Sequence, residues 1–309
     1  MLGQVSRART GPVGREHTDR VNSDLVAGMA ALVAADVPAE VLAVRGDVVV
    51  VRVGDVVLKA HERGTDRAVL AARLRVAGDP RLGELLLAPA GPPAEVLGRV
   101  VTAWPLGVPV PQDVDALPLE AAGRLLADLH RFGRADFAGP VPPAGARPRM
   151  ERAVHDLPAG PRSAVVRQAF DTLVPVLGDA DGDTLIHGDW HLGQLVEHGG
   201  WRLIDVDDLG LGDPAWDLAR PAALFAAGVL DPESWSRLLD AYLDAGGTAV
   251  ERADPWARLE VPARALVVQM AARALSAAER DDKPLTEAQE ALLDACARIV
   301  SEHEPIPRG

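Results

Sequence analysis

The chain has 309 residues and a formal net charge of −13, with 48% hydrophobic and 25% charged residues, which is the composition of a globular protein. This acidic balance argues against a nucleic-acid partner, because phosphate backbones are bound by clustered Lys and Arg. No run approaches the roughly 18 apolar residues of a membrane span, and residues 1–24 carry no secretory signal, so we expect a cytoplasmic protein without a membrane partner.

The first hundred residues predict a small lobe with a β-sheet and helices. Apolar periodicity predicts a helix over residues 23–37 and another over 66–77. Between them, the turn pairs Gly46-Asp47 and Gly54-Asp55 separate three β-branched runs, a pattern typical of an antiparallel meander. The predicted strands cover residues 40–45, 47–53, 56–60, 84–87 and 95–103.

The remaining residues predict a mainly helical lobe. Alanine-rich helical patterns cover residues 117–131, 162–177, 215–227, 232–245, 254–278 and 286–301, with short strands over 184–186 and 201–206 and a proline-rich loop over 139–148. We therefore predict an α+β protein with an N-terminal lobe over residues 1–103, a hinge over 104–110 and a helical lobe over 111–309.

Lysine is scarce in this chain. Only Lys59 and Lys283 are lysines, so thirty of the 32 basic residues are arginines. Neither lysine follows a glycine, which excludes a phosphate loop that ends in Gly-Lys. Lys59 ends the third predicted strand, where a compact ammonium is favoured over a broad guanidinium group. The single cysteine, Cys296, excludes an internal disulfide and a cysteine-rich zinc site.

An acidic segment runs from Asp181 to Asp217, with nine acidic residues and Arg202 as its one basic residue. Because like charges repel, acidic residues gathered at strand ends indicate a bound cation, although a solvated acidic loop explains the same pattern. Phosphoryl transfer needs an aspartate beside the acceptor hydroxyl, an aspartate and an amide oxygen on Mg²⁺, and a lysine on the nucleotide phosphates. The chain offers each of these groups in order.

Together these motifs resemble the aminoglycoside phosphotransferase family, which is related to eukaryotic-type protein kinases. The resemblance rests on Lys59 at its strand end, the Thr102-Ala103-Trp104-Pro105-Leu106-Gly107 run, Leu126-Ala127-Asp128-Leu129-His130, His187-Gly188-Asp189-Trp190-His191-Leu192-Gly193-Gln194, Ile204-Asp205, and the Gly212-Asp213-Pro214 element leading to Asp217. The His-Gly-Asp element is similar to that of bacterial maltokinases and aminosugar kinases. This resemblance implies a bilobal protein-kinase-like fold that uses ATP and Mg²⁺.

The resemblance also implies roles for individual residues. Asp189 would orient and deprotonate the acceptor hydroxyl, Lys59 would bind the nucleotide phosphates, and Asp205 with Gln194 would bind the metal. The backbone at Val101, Thr102, Ala103 and Trp104 would meet adenine, and His187, His191 and Asp217 would support the catalytic loop. Asp207 and Asp208 would face the acceptor or a second metal, with plain solvent exposure as the alternative.

Two departures from the family pattern affect these roles. Gln194 stands where a metal-binding asparagine is usual, and Asn22 is the only asparagine in the chain. The lysine's usual glutamate partner is missing from the predicted helix over residues 66–77, which leaves Asp66, Glu62 or neither.

We therefore predict an ATP- and Mg²⁺-dependent phosphotransferase that acts on a hydroxyl of a small polar metabolite, most readily a sugar, an aminosugar or an aminoglycoside. An acidic cleft would concentrate a cationic acceptor. Two alternatives stay open: a metal-dependent hydrolase that uses His187, Asp189 and His191, and an inactive kinase-like protein that binds a ligand without turnover.

Overall fold

The computed structural model describes residues 23–34, 37–111, 113–177 and 182–303. The chain divides into two compact units. The first is Met1–Ala116 with Leu195–Asp207, and the second is Leu117–Gln194 with Asp208–Gly309. The hinge predicted over residues 104–110 lies inside the first unit and stays a prediction. Asp181, at the start of the acidic segment, lies outside the described residues.

The first unit is built on an antiparallel sheet. Its described strands are β1 (Glu40–Arg45), β2 (Val48–Val53), β3 (Val56–Ala60), β4 (Ala94–Val96) and β5 (Arg99–Pro105), in the order β1-β2-β3-β5-β4. Gly46 and Gly54 have φ angles of 58° and 61°, which a tight hairpin turn requires. The predicted meander is therefore present, with its turns at the predicted glycines.

A helix over residues 23–30, α1, packs its apolar side chains on this sheet. Leu25 and Met29 of α1 form a buried cluster with Val49, Val51 and Leu58. A second helix, α2 (Arg67–Ala77), begins at Asp66, whose carboxylate caps the amides of the first turn. Helix α1 therefore covers apolar side chains on one face of the sheet, and burial of these side chains helps to hold the strands in register.

Two predicted strands differ in the structure. The segment predicted over residues 95–103 is a hairpin, because Leu97 and Gly98 adopt φ angles of 50° and 74° and turn the chain between β4 and β5. Residues 84–87 form no strand of their own; Leu86 makes one isolated bridge to Leu203. That bridge lies beside a small sheet of β6 (Val108–Pro109), β8 (Leu195–Glu197) and β9 (Trp201–Leu203), also in the first unit.

The second unit is mainly helical in its described part. Its helices are α3 (Leu119–Leu129), α4 (Ala146–His155), α5 (Pro161–Leu173), α6 (Ala215–Ala226), α7 (Pro232–Asp244), α8 (Trp256–Asp281) and α9 (Glu287–His303). Helix α8 is buried along most of its length and packs against α4, α5, α6 and α9. A two-stranded antiparallel ribbon of β7 (Thr184–Ile186) and β10 (Gly210–Gly212) completes the unit.

The predicted helices are present with ends shifted by a few residues, except that the helix predicted over residues 23–37 ends at residue 30, and residues 35 and 36 lie outside the described residues. The strand over residues 184–186 is present as predicted, and the one predicted over 201–206 ends at Leu203. Helix α4 was not predicted, because the proline-rich residues before it favour a loop and its sequence holds three arginines. None of the described helices combines the length and the apolar character that a bilayer span needs.

Candidate active site

Lys59 lies between two carboxylates in the first unit. Its Nζ atom is 2.7 Å from Asp205 Oδ1 and 2.8 Å from Asp207 Oδ2. Only 14% of the Lys59 side chain is exposed, against 33% of each aspartate side chain. Two carboxylates that converge on one ammonium leave an excess of one negative charge, and their oxygens are hard donors of the kind that Mg²⁺ takes.

The two acidic residues that the sequence offers as partners for Lys59, Asp66 and Glu62, do not pair with it. Asp66 Oδ1 accepts from the amides of Ala68 and Val69, at 2.9 and 3.1 Å, as the cap of α2. Glu62 forms no ion pair within the described ranges, and its carbonyl accepts from Thr65. The missing helix glutamate is therefore replaced by two aspartates that follow β9.

The ion pairs shift the pKa values of this cluster in opposite directions. Burial alone would lower the pKa of Lys59, but the charges of Asp205 and Asp207 outweigh it and raise that pKa above its usual value. Burial alone would raise the pKa of Asp207, but the hydrogen bond from His61 and the charge of Lys59 lower it well below its usual value. Both partners are thus charged at neutral pH.

A buried hydrogen-bond chain leads from β5 to Asp207. Trp104 Nε1 donates to Thr102 Oγ1 at 2.9 Å, and that hydroxyl lies 2.9 Å from His61 Nε2. His61 Nδ1 lies 3.4 Å from Asp207 Oδ2. The chain is consistent when His61 carries its proton on Nδ1, because Nε2 then accepts from the hydroxyl of Thr102 and Nδ1 donates to the carboxylate.

The residues proposed to meet adenine lie within a central strand. Val101, Thr102, Ala103 and Trp104 pair with Ala60, Lys59, Leu58 and Val57 of β3, and the carbonyl of Ala103 accepts from the amide of Ala90. Their backbone is therefore largely engaged in the sheet, and the contact with adenine stays a prediction. Thr102 and Lys59 are direct partners in this register.

Asp205 adopts a left-handed backbone conformation. Its φ angle is 63°, two residues after the end of β9. Residues other than glycine are uncommon in this region, although aspartate enters it more readily than most. Strained backbone of this kind clusters at functional sites, where the surrounding structure holds it in place. Here it aims the carboxylate at Lys59.

In the second unit, Asp217 holds the loop that follows β7. Asp217 is fully buried, and its Oδ2 accepts from the amide of His187 at 2.7 Å while its Oδ1 accepts from the amide of Gly188 at 2.8 Å. His130 Nε2 donates to Oδ2 at 3.1 Å, and His130 Nδ1 accepts from the hydroxyl of Tyr242 at 2.9 Å. Burial raises the pKa of Tyr242 to about 12, so its hydroxyl keeps the proton it donates.

Gly188 is required by two features of its surroundings. Its φ angle is 81°, and a Cβ atom at this position would collide with the carbonyl oxygen of Asp208. The loop therefore turns sharply and lies against the Asp208 backbone before it presents Asp189.

Asp189 is held by two arginines. Arg220 of α6 donates from Nη2 to Oδ1 at 2.5 Å, and Arg149 of α4 lies 2.7 Å from Oδ2 through Nη1. Arg149 also forms an ion pair with Asp208, whose side chain is 9% exposed. Burial lowers the pKa of Arg220, with Asp189 opposing the shift and Arg149 adding to it. The carboxylate of Asp189 is consequently fixed in orientation, and its remaining lone pairs stay available for a hydroxyl.

The adjacent aspartates have separate surroundings. Asp207 pairs with Lys59 in the first unit, in a group of charged side chains that also includes Asp205 and that we call the Lys59 cluster. Asp208 is buried against Arg149 in the second unit. The expected alternative of plain solvent exposure therefore does not describe Asp208. Gln194 is also buried in the second unit, in a short 3-10 helix.

The hydrolase alternative requires histidines and a carboxylate gathered around one metal. His187 is fully buried, and His191 Nδ1 accepts from the amide of Gly193 at 3.0 Å. Across the described ranges, no group of three or more His, Cys, Asp and Glu side chains is arranged to hold a metal ion. The described residues thus do not form the site that this alternative needs.

The model of the phosphotransferase enzyme family, known as APH, matches residues 68–259, which is more than half of the chain. The chain belongs to this family. The family resemblance inferred from the motifs is thereby confirmed, and phosphotransfer is the activity class of the family. No curated protein sequence matches the chain.

Solved structures confirm the kinase-like α+β fold of this family member. A choline/ethanolamine kinase family protein from Mesorhizobium loti is 21% identical, with a TM-score of 0.56 over 93% of this chain and 95% of the other. The choline kinase LicA from Streptococcus pneumoniae is 13% identical, with a TM-score of 0.61 over 93% and 100% of the two chains. Spectinomycin phosphotransferase, solved in complex with ADP and spectinomycin, is 14% identical, with a TM-score of 0.50 over 86% and 89%.

Sequence reasoning missed three residues of the candidate site. His61 contacts Asp207, and Arg149 and Arg220 contact Asp189. His61 follows the strand that carries Lys59, and Arg220 lies one turn after Asp217 on α6, so position beside known motifs is a signal for both. Arg149 lies outside the motifs, in the unpredicted helix α4.

Proposed function

We propose that this protein transfers the γ-phosphoryl group of ATP, with Mg²⁺, to a hydroxyl of a small polar molecule. The observation that carries the proposal is the Lys59 cluster, in which Asp205 and Asp207 converge on one ammonium. Phosphotransferases use such a lysine on the nucleotide phosphates and such carboxylates on the metal. The ADP in the spectinomycin phosphotransferase complex supports an adenine nucleotide as the donor.

In this proposal, Lys59 binds the nucleotide phosphates, and the carboxylates of Asp205 and Asp207 would hold Mg²⁺, for which the family resemblance implies the amide oxygen of Gln194 as a further ligand. The ion would supply positive charge that offsets the charge of the phosphates. When the nucleotide binds, Lys59 exchanges its two carboxylate partners for phosphate oxygens. His61 keeps the Asp207 carboxylate in place during this exchange through its Nδ1 proton. Adenine would lie at the end of β5.

Asp189 orients the acceptor. Its carboxylate accepts a hydrogen bond from the acceptor hydroxyl, whose oxygen attacks the γ-phosphorus as the bond to the β–γ bridging oxygen breaks. The hydroxyl proton passes to Asp189, and ADP leaves. Arg149 and Arg220 position the carboxylate by binding one oxygen each. Asp217 positions the same loop through the amides of His187 and Gly188.

The acceptor is a small hydroxyl compound. The neighbours' names include choline, ethanolamine and spectinomycin, which supports a polar small molecule rather than a macromolecule. Sugars, aminosugars and aminoglycosides are the classes proposed from the motifs. We place the protein in the cytoplasm, without a nucleic-acid or membrane partner.

The test is ADP formation from ATP and Mg²⁺ with a panel of hydroxyl acceptors. We expect Asp189→Asn to reduce kcat at least about 100-fold, the lower range for a positioned acid or base, while the Kd for ATP is unchanged. The matched control is Asp183→Asn, an exposed aspartate paired with Arg134. Near-normal turnover in Asp189→Asn would remove Asp189 from the chemistry.

The two lysines of the chain give a second matched pair. Lys59→Ala is expected to weaken ATP binding and abolish most turnover, whereas Lys283→Ala, at an exposed position, should leave both unchanged. ATP binding without ADP formation, for every acceptor tried, would instead favour the inactive ligand-binding alternative.

A further inference from the structure

The ammonium group of Lys59 lies where a metal ion would bridge Asp205 and Asp207. Its Nζ atom is 2.7 Å from Asp205 Oδ1 and 2.8 Å from Asp207 Oδ2, so these two oxygens converge on the point that the ammonium nitrogen occupies. Converging carboxylate oxygens are also the donors that Mg²⁺ takes, at about 2.1 Å from each oxygen. An ammonium nitrogen and a divalent ion cannot both lie between the same two oxygens.

The contacts around this pair hold the three charged groups in place. Lys59 belongs to β3, the middle strand of its sheet, and its side chain is 14% exposed. The carbonyl of Asp207 accepts from Arg73 of α2, and the carboxylate of Asp207 lies 3.4 Å from Nδ1 of His61. The backbone of Asp205 is held in the left-handed region, with a φ angle of 63°. The fold itself therefore keeps the ammonium group between the two carboxylates.

Charge favours exchange of the lysine and the metal over binding of both. The two carboxylates and the ammonium group of Lys59 together carry a net charge of −1. Adding Mg²⁺ beside the ammonium group would place two cations within a few ångströms of each other, where they repel. If Lys59 instead moves to phosphate oxygens, the divalent ion balances the two carboxylates that the lysine has left.

The carboxylate pair also offers a metal few ligands by itself. Across the part of the chain that the structure describes, no group of three or more His, Cys, Asp and Glu side chains is arranged to hold a metal ion. Mg²⁺ is commonly held by one or two carboxylates together with the phosphates of a substrate. Asp205 and Asp207 fit this mode, in which the phosphates complete the site.

We propose that Lys59 blocks the metal site, so that Mg²⁺ binds to Asp205 and Asp207 only after nucleotide phosphates have taken the ammonium group. The inference rests on the proposed function, which assigns the metal to these carboxylates and the phosphates to Lys59. It adds an order of binding: the metal enters with the nucleotide and not before it. The same lysine thus opposes metal binding at one stage and binds the nucleotide at the next.

The test measures metal binding without nucleotide. Mn²⁺ is the probe, because its EPR signal reports the concentration of free ion. Lys59→Met keeps the length of the side chain and removes the ammonium group. We expect its Kd for Mn²⁺ to be at least about tenfold lower than that of the wild type, since one charge-assisted hydrogen bond no longer competes for the oxygens. Adding Asp205→Asn to Lys59→Met should abolish this gain.

Two controls separate occupation of the site from a general effect of charge. Lys283→Met removes the other lysine, which is exposed, and should leave the Kd for Mn²⁺ unchanged. At about 1 M salt, long-range effects of a lost charge are screened, whereas a competitor in the site still competes. The ratio of the Kd values of wild type and Lys59→Met should therefore persist at high salt. A ratio that falls to one would overturn the inference.

The wild-type protein provides a measurement that does not depend on the folding of a variant. Because the chain has two lysines, labelling lysine with ¹³C at Cε gives one NMR signal for each. ATP with a chelator should shift the Lys59 signal, and Mg²⁺ alone should shift neither signal and bind undetectably in calorimetry. Calorimetric binding of Mg²⁺ alone that leaves the Lys59 signal in place and is lost in Asp205→Asn would overturn the inference.

Failure of the inference and failure of the proposed function give different results. If no acceptor supports ADP formation, the proposed function fails, whereas the Mn²⁺ titrations still test whether Lys59 blocks the carboxylates. ADP formation together with equal Mn²⁺ affinity in wild type and Lys59→Met, or with no Mn²⁺ binding to either, overturns the inference alone.

Discussion

The Asp217 network predicts a large loss of stability from the smallest possible change, Asp217→Asn. The carboxylate accepts three hydrogen bonds in a fully buried position, from the amides of His187 and Gly188 and from His130. An asparagine has one acceptor oxygen, so at least one of these donors would face the amide NH₂ group and lose its partner.

The magnitude follows from the bonds involved. One unpaired buried donor costs about 1–3 kcal/mol, and each of the two remaining bonds loses roughly 1 kcal/mol when its acceptor becomes neutral. The expected loss is therefore about 3–5 kcal/mol, a large share of the 5–15 kcal/mol that is typical of a folded protein.

Urea unfolding followed by tryptophan fluorescence measures this loss, because four of the six tryptophans lie in the second unit. The control is Asp128→Asn on α3, where the partly exposed carboxylate pairs with Arg131 at 3.1 Å and the expected cost is about 0–1 kcal/mol. If Asp217→Asn costs no more than the control, the buried carboxylate does not hold the loop in the way described.

Three further predictions concern single side chains. Tyr242→Phe leaves the amide of Ala249 without its acceptor and should cost about 2–4 kcal/mol in urea unfolding, whereas a cost under about 0.5 kcal/mol would contradict the contact. Gly188→Ala should cost about 1–3 kcal/mol more than Gly228→Ala, because both glycines have positive φ but the second has open space around it. The pKa of Asp207 is lowered on folding, so its contribution to stability is complete above the unfolded value of about 3.9 and is lost as the pH falls further. Wild type and Asp207→Asn should thus differ most at neutral pH and converge in acid unfolding, and a constant difference would refute the shift.

The sequence predicted the elements whose signals are local. The turn glycines Gly46 and Gly54 separate β-branched runs, and the structure places its hairpin turns there. The hairpin at Leu97 and Gly98 was missed, because a positive φ at a leucine has no signal in composition. Residues 84–87 have the composition of a strand, but only Leu86 finds a bridge, which depends on a partner more than a hundred residues later.

The sequence motifs predicted individual residues of the candidate site, but not the contacts that the fold makes between residues far apart in the chain. Lys59 and Asp189 follow from motif position, but the partners of Lys59 lie 146 and 148 residues away, beyond any helical or strand periodicity. The acidic segment predicted negative potential at the acceptor. Counting charges along one segment omits Arg149 of α4 and Arg220 of α6, which pair with Asp189 and offset the negative charge of that segment.

The scarcity of lysine makes the Lys59 cluster a chemical reporter. An amine-reactive reagent finds two side-chain targets in this chain, of which Lys283 is exposed and Lys59 is enclosed by Asp205 and Asp207. Acylation of Lys59 requires a neutral amine, which the raised pKa makes rare. Peptide mapping of the labelled protein would therefore compare the reactivity of Lys59 with that of Lys283 as an internal standard in the same molecule, without any engineered probe.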